Sequence, residues 1–380
     1  MKTALINCRV FDGEILHQGL AVLLENGRVY KLLPQADIDG EIESVIDLKY
    51  HILAPGLIDI QVNGGGGVMF NDAPSVETIR KIGAAHRRFG TTGFLPTLIS
   101  TDFDMMQQAV EAVGQAISEG VPGVLGLHLE GPYLNVEKAG IHDSGKFQQL
   151  DKAAYELLTS LANGRMLVTI APELTSTEML FRLSGEGVLV FGGHSLATYA
   201  QTREALDAGL RGFTHLFNAM SQFESREPGM VGAALEDNNS WCGMIADGKH
   251  VHPATFGVAV AAKRKGFSVL VTDAMATVGS DVASFNFDGV DIEVVDGSCR
   301  TADGRLAGSS LDMISAVRNA AIFAGIDSME ALRMASCYPA RALGLEDELG
   351  YIRPGYKASF IELDDDLNLY RSWIDGEVSV

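Results

Sequence analysis

Leu127-His128-Leu129-Glu130-Gly131-Pro132 is an apolar run that stops on a carboxylate. Three later stretches repeat the device with other side chains: Phe191-Gly192-Gly193-His194-Ser195, Phe213-Thr214-His215-Leu216-Phe217-Asn218 and Leu270-Val271-Thr272-Asp273-Ala274. Each reads as a short buried strand with a metal ligand or proton acceptor at its exit. Strand ends far apart in sequence converge on one point only if the strands lie side by side and parallel. The C-terminal mouth of a (β/α)8 barrel has that geometry. There Glu130, His194 and His215 would supply three ligands and leave one coordination position open, with Asp273 beside them to handle a proton.

Working outward, short apolar strands alternate with amphipathic stretches from about residue 55 to 344. Strands are expected at 57–62, 93–98, 124–129, 166–171, 188–192, 213–217, 241–246 and 268–272. Helices are expected at 76–89, 104–118, 151–161, 177–183, 199–208, 253–265 and 310–323. Eight strands with regular helical crossovers predict a closed barrel rather than an open sheet. Residues 1–54 instead alternate apolar and polar positions, with Glu25-Asn26-Gly27 at a hairpin tip. Residues 345–380 read the same way. Neither tail can bury a core alone. The expected fold is therefore α/β: a (β/α)8 TIM barrel over 55–344, and a small β-sandwich built from 1–54 together with 345–380.

The 380 residues suffice for one such barrel plus a smaller unit. With 49 acidic and 29 basic residues, the net charge of −20 repels nucleic acid and anionic membrane, and no basic cluster offsets it. An anionic small substrate would need a local nest of cationic side chains and backbone N–H groups. Cys8, Cys242, Cys299 and Cys337 form no paired motif, so reduced thiols in a cytoplasmic protein are expected. The segment Met1-Lys2-Thr3-Ala4-Leu5-Ile6-Asn7 is too polar for a signal peptide, and no apolar run approaches the ~18 residues of a membrane span.

Each candidate has a plainer reading when taken alone. Glu130 can be a strand-terminating carboxylate. His128, two residues deeper on the same face, reads as packed support or as a ligand. His194 and His215 singly read as structural histidines, and Asp273 as a helix N-cap or as a general base. Gln61-Val62-Asn63 ends the first strand with two amides, which do not replace imidazoles as metal ligands. Gly64 to Gly67 lack a following Lys-Ser/Thr, so they are no phosphate loop and read as a flexible mouth loop. Strand-exit loops carry Gly140-Ile141-His142, Asn218-Ala219-Met220, Arg226-Glu227-Pro228-Gly229, Asp247-Gly248-Lys249-His250 and Leu306-Ala307-Gly308-Ser309, each a solvated loop or a site wall. The guanidinium fork of Arg226 suits a phosphate, with His250 or Asn218 as helpers. His17, His51 and His86 lie away from strand exits and read as surface or packing residues.

Taken in order, these motifs and the Ala54-Pro55-Gly56-Leu57-Ile58-Asp59 entry to the first strand resemble the N-acetylglucosamine-6-phosphate deacetylases of the amidohydrolase superfamily. The resemblance spans essentially the whole chain. It implies a barrel with a terminal β-sandwich, assembled as a homodimer or homotetramer. The implied reaction hydrolyses the acetamido group of N-acetyl-D-glucosamine 6-phosphate to D-glucosamine 6-phosphate and acetate, in amino-sugar catabolism. By motif match, Glu130, His194 and His215 would hold one divalent metal ion per subunit, Zn2+ first, with Fe2+ or another divalent ion as substitutes. Asp273 would be the proton shuttle, and His142 would polarise the acetyl carbonyl. Gln61, Ile141, His142, Asn218, Ala219, Arg226, His250, Leu306, Ala307 and Gly308 would contact substrate, Arg226 by reaching into the neighbouring subunit's site. Some relatives carry a histidine pair where Gln61 and Asn63 stand and hold two metals; this chain resembles the one-metal branch. The alternatives are a deacetylase of N-acetylgalactosamine 6-phosphate, an amidohydrolase of a cyclic amide, and a metal-free binding or scaffold barrel. The chain lacks a dinucleotide fingerprint, which sets hydride chemistry aside.

Overall fold

Eight parallel strands pair strictly in chain order in a computed structural model that describes residues 2–40 and 42–379. They are Leu57–Val62, Thr91–Ile99, Gly126–Glu130, Arg165–Ile170, Leu189–Gly192, Gly212–Phe213, Trp241–Met244 and Ser268–Leu270. The ring closes just past the eighth strand. Val62 bridges Ala274 in parallel, the Asp273 N–H donates to Gln61 O at 3.0 Å, and the Asn63 N–H donates to Ala274 O at 2.9 Å. Every residue of the first three strands is buried, because side chains fill the barrel on one face and helices cover the other.

The helices start where short polar side chains can satisfy free N–H groups. Ser75, Asp151, Ser176, Thr198 and Asp312 each accept from the third residue of the helix they precede. Phe103–Ser118 shows the burial logic, turning Met106, Ala109, Val110, Val113 and Ala116 inward at helical spacing. Three helices go beyond the sequence reading: Gly229–Glu236, Ser328–Ala335 and Cys337–Ala342. So does an antiparallel meander between the eighth strand and Met313–Ala324. Its strands are Ser284–Phe287, Val290–Val295, Ser298–Thr301 and Leu306–Ser309. The meander packs Phe287, Ile292, Cys299 and Ala307 on Met69, Ile99 and Met275, so it covers the barrel mouth.

Two local expectations are corrected. The sixth strand stops at Phe213 rather than 217, because His215 and Phe217 adopt positive φ (31° and 79°) and leave the ladder. Gly64 to Gly67 are not a flexible loop. Gly64–Gly65 pairs with Val68–Met69, and the Gly64 carbonyl accepts from His86 Nε2 at 2.9 Å. A Cβ on Gly64 would stand 2.5 Å from Val68 O, so the close turn itself requires glycine.

The termini form two sheets. Lys2–Ile6, Leu20–Glu25, Arg28–Pro34 and Ser44–Asp47 make one. The other joins both ends of the chain, with Phe360–Leu363 antiparallel to Ile52–Pro55. Leu5, Val22, Leu24, Leu53, Phe360 and Trp373 meet in one apolar cluster shared by the sheets, which is the core of a sandwich. All four cysteines are free and buried. Among the described residues, no helix is long and apolar enough to cross a membrane.

The barrel seam also holds a buried polar lock. Asp59 Oδ2 accepts from Thr272 Oγ1 at 2.5 Å, and Oδ1 accepts from the N–H groups of Gln61 (3.2 Å) and Thr272 (3.3 Å). Thr272→Val removes the hydroxyl and leaves that carboxylate oxygen unpaired. Stability should fall by about 1–3 kcal/mol in chemical denaturation, whereas an unchanged midpoint would show that the lock contributes nothing.

Candidate metal and catalytic site

Glu130 is the last residue of the third strand, so the barrel's inner face aims it at the mouth. His194, His215 and Asp273 follow the fifth, sixth and eighth strands, and all three take left-handed backbone, with φ of 48°, 31° and 53°. Non-glycine residues seldom do so. Here the turn swings each side chain off its ladder and over the barrel axis.

The result is a tight buried triad. His215 Nε2 lies 2.9 Å from Glu130 Oε1; His194 Nε2 lies 3.2 Å from the same oxygen and 3.0 Å from His215 Nε2. His194 Nδ1 is 2.7 Å from the Lys138 carbonyl. A carbonyl only accepts, so Nδ1 carries the proton and Nε2 of the neutral ring presents a lone pair. A lone pair facing a carboxylate and a second imidazole is repulsive unless a proton or cation stands between them. The ionisation of the triad reflects this. Burial pushes the Glu130 carboxyl up, but the hydrogen bonds of His194 and His215 hold it well below the usual carboxylate range. Burial pushes the His215 imidazole down, and the hydrogen bond and charge of Glu130 outweigh it and raise it. The three ligand atoms lie within 4.8 Å of one another, and two nitrogens with one oxygen fit a divalent ion such as zinc.

Asp273 stands beside the triad. Its Oδ1 accepts from Asn63 Nδ2 at 2.7 Å and Gln61 Nε2 at 3.1 Å, and Gln61 Nε2 also reaches Glu130 Oε1 at 3.3 Å. Burial, and then the charge on Glu130, raise the Asp273 carboxyl to about 6. His142 packs its ring 4.4 Å from that of His194 and shares a 2.8 Å hydrogen bond between Nδ1 and Ser100 Oγ. Burial pushes its pKa down to about 3, so the ring is neutral. His250 Nδ1 is 2.6 Å from Asp247 Oδ2, and Asp247 Oδ1 accepts the N–H groups of Lys249 and His250 at 2.8 Å each. His128 lies below the triad with both ring nitrogens on hydroxyls, Thr97 at 3.1 Å and Thr169 at 2.8 Å, which leaves it no free donor for an ion.

Most of the sequence candidates share one cavity of about 170 Å³. Glu130, His194, His215, Asp273, His142, Ile141, Asn218, Ala219, His250, Leu306 and Gly308 line it. Three candidates lie elsewhere. Gln61 sits beneath, between two carboxylates; Ala307 is buried in the apolar cluster of the meander; Arg226 is exposed and outside the cavity of its own chain. Asn63 lines the cavity although its sequence reading assigned it no contact. Its signal was the two-residue spacing from Gln61, which puts both amides on one face of the strand end. Ser100 had no signal, because the second strand ends on no ligand.

The arrangement can hold a divalent cation, present a carboxylate to a proton and place a neutral imidazole in the same cavity, beside the meander that packs on the barrel mouth. The amidohydrolase family model matches residues 52–378. N-acetylgalactosamine-6-phosphate deacetylase of Shewanella sp. (strain ANA-3) is 44% identical over 326 residues, covering 86% of this chain and 82% of that protein. N-acetylglucosamine-6-phosphate deacetylase of Haemophilus influenzae is 35% identical and covers 99% of each. The crystal structure of N-acetylglucosamine-6-phosphate deacetylase from Pasteurella multocida aligns with a TM-score of 0.96 at 34% identity, over 100% of this chain and 99% of that one. With a family match across the barrel and relatives that align over most of their length, this chain belongs to the amidohydrolase family, hydrolases of carbon–nitrogen bonds.

Proposed function

We propose that this chain hydrolyses the 2-acetamido group of N-acetyl-D-glucosamine 6-phosphate, giving D-glucosamine 6-phosphate and acetate. The observation that carries the reading is the meeting of Glu130, His194 and His215 at one point, with Asp273 on the wall of the same cavity. The relatives that align over their full length are named for that reaction. A second reading, the galacto epimer, is favoured by the Shewanella relative at 44% identity. The epimers share the acetamido and phosphate groups and differ at one hydroxyl. Rates of acetate release from the two phosphosugars decide between the epimers, and ring opening of a hydantoin would mark the cyclic-amide alternative instead. Failure to release acetate from either phosphosugar would end the proposal.

Glu130, His194 and His215 would hold one divalent ion per subunit. Zn2+ suits two imidazoles and a carboxylate, and Fe2+ accepts the same donors. When bound, such an ion polarises the amide carbonyl and makes water a stronger acid. Asp273 takes the proton of the attacking water and delivers it to the nitrogen as the carbon–nitrogen bond breaks. His142 donates from Nε2 to the carbonyl oxygen in the tautomer whose Nδ1 accepts the Ser100 hydroxyl, once that hydroxyl turns its proton from the Glu130 carbonyl at 3.2 Å to Nδ1 at 2.8 Å. Asp247 orients His250, which with Asn218 faces the sugar phosphate. The four unpaired cysteines support a cytoplasmic location.

Arg226 is exposed on a segment that also carries Phe223, 64% exposed, beside an apolar patch with Leu235 and Val258, 67% exposed. This face supports a homodimer in which Arg226 binds phosphate in the neighbouring subunit's cavity. Arg226→Ala should then raise KM for the phosphosugar at least ~10-fold, with little effect on the unphosphorylated sugar, since a charge-assisted phosphate contact is lost. Equal effects on both substrates would reject the role.

Asp273→Asn should lower kcat by about 10²- to 10⁴-fold with metal content retained. The base must be ionised to act. A carboxyl raised to about 6 is therefore competent above that pH and silenced below it. A bound cation moves the limb lower, so kcat/KM should fall tenfold per pH unit with a pKa at or below about 6. An acid limb near neutrality, or full activity in the variant, would remove Asp273 from the mechanism.

A further inference from the structure

We propose that Asn63 and Gln61 act as a pair of positioning residues: their side-chain amides clamp Oδ1 of Asp273 and leave Oδ2 alone to exchange the proton. The inference rests on the function proposed above and adds to it a role for the end of the first strand. Asn63 Nδ2 donates to Oδ1 at 2.7 Å and Gln61 Nε2 at 3.1 Å. Among the described residues, no donor reaches Oδ2, while Asp273 lines the cavity. A carboxylate only accepts, so both amides must present nitrogen to it and their orientation is settled.

These contacts are not needed to close the barrel. The backbone bonds from Asp273 N–H to Gln61 O and from Asn63 N–H to Ala274 O already do that, with the Asp59–Thr272 lock beside them. Asn63 Nδ2 has one other contact, Met275 Sδ at 3.6 Å, and Asn63 Oδ1 is buried with no partner. The side chain is thus committed to one carboxylate oxygen. Gln61 Nε2 turns its second hydrogen to Glu130 Oε1 at 3.3 Å, a longer contact than the 3.1 Å to Asp273, and Glu130 Oε1 keeps His194 and His215 as its nearer partners. The terminal torsion of an aspartate is broad and two-fold, and without such a clamp either oxygen could turn toward the substrate. Neutral amides fix the plane of the group without the large loss of basicity that a facing Lys or Arg would cause.

The test uses the metal-loaded enzyme and two near-isosteric variants without donors, Asn63→Leu and Gln61→Met. Each should lower kcat about 10- to 100-fold, the scale of a misplaced reacting group, with KM changed by less than about 3-fold. Bound metal and the affinity for glucosamine 6-phosphate should stay at wild-type levels. A kcat within about 2-fold of wild type in Asn63→Leu overturns the clamp. So does a loss of kcat that merely follows lost metal or a risen KM. If Asn63→Leu does not fold, the same split measured in Gln61→Met decides. Wild-type protein inert toward both phosphosugars refutes the proposed function instead, whereas an active wild type with indifferent variants refutes only the clamp.

Discussion

Two imidazole nitrogens and a carboxylate oxygen, all within about 3 Å and all buried, are the constraint around which this molecule is arranged. Removing a carboxylate from water costs several kcal/mol unless charge and hydrogen bonds replace its solvation. Here the replacement for Glu130 at the end of the third strand comes from His194 and His215, which follow the fifth and sixth strands. Only a closed parallel barrel brings the exits of its third, fifth and sixth strands to one point while keeping every backbone group of those strands paired. The helices, the sandwich and the meander serve that closure. They bury the outer face, tie the ends of the chain and cover the mouth.

Local strain is concentrated at the same place. His194, His215 and Asp273 all hold a backbone conformation that costs a non-glycine residue of order 1 kcal/mol or more. It persists because the surroundings over-determine it. The Lys138 carbonyl takes His194 Nδ1, the Gln61 carbonyl takes the Asp273 N–H, and the Asp273 carbonyl takes the Ser309 N–H. The last of these ties Asp273 to the meander, so the cover and this carboxylate-bearing residue share one hydrogen-bonded frame.

Much of the architecture was readable along the chain. The eight apolar strands stand out because each is short, buried on both faces and bounded by turn residues, and the expected helices other than Pro253–Ala262, which is apolar nearly all round, carry a one-sided apolar period. What escaped did so for identifiable reasons. Gly229–Glu236 is apolar nearly all round, so it shows no amphipathic stripe. The meander alternates weakly, with exposed Val290 and Val295. The run 213–217 is apolar enough for a strand, but the φ reversals at His215 and Phe217 leave no mark in residue type. Gly64 to Gly67 look mobile as letters, and only their pairing with 68–69 and the His86 contact show them fastened.

Residue type and spacing were enough to nominate Glu130, His194, His215 and Asp273, because a ligand-bearing residue at the exit of an apolar run is a local pattern. The same information could not say which candidates face one another. Gln61 was named as a substrate contact and lies under the cavity between two carboxylates, while Arg226, named as a contact to the neighbouring subunit's substrate, is exposed outside the cavity of its own chain. Nor could it show that Asn63 and Gln61 hold a single oxygen of Asp273, some 210 residues away along the chain. Side-chain chemistry is a property of each residue and travels with the sequence. Distance and direction between side chains depend on how the strands close into a ring, so they exist only once the chain has folded.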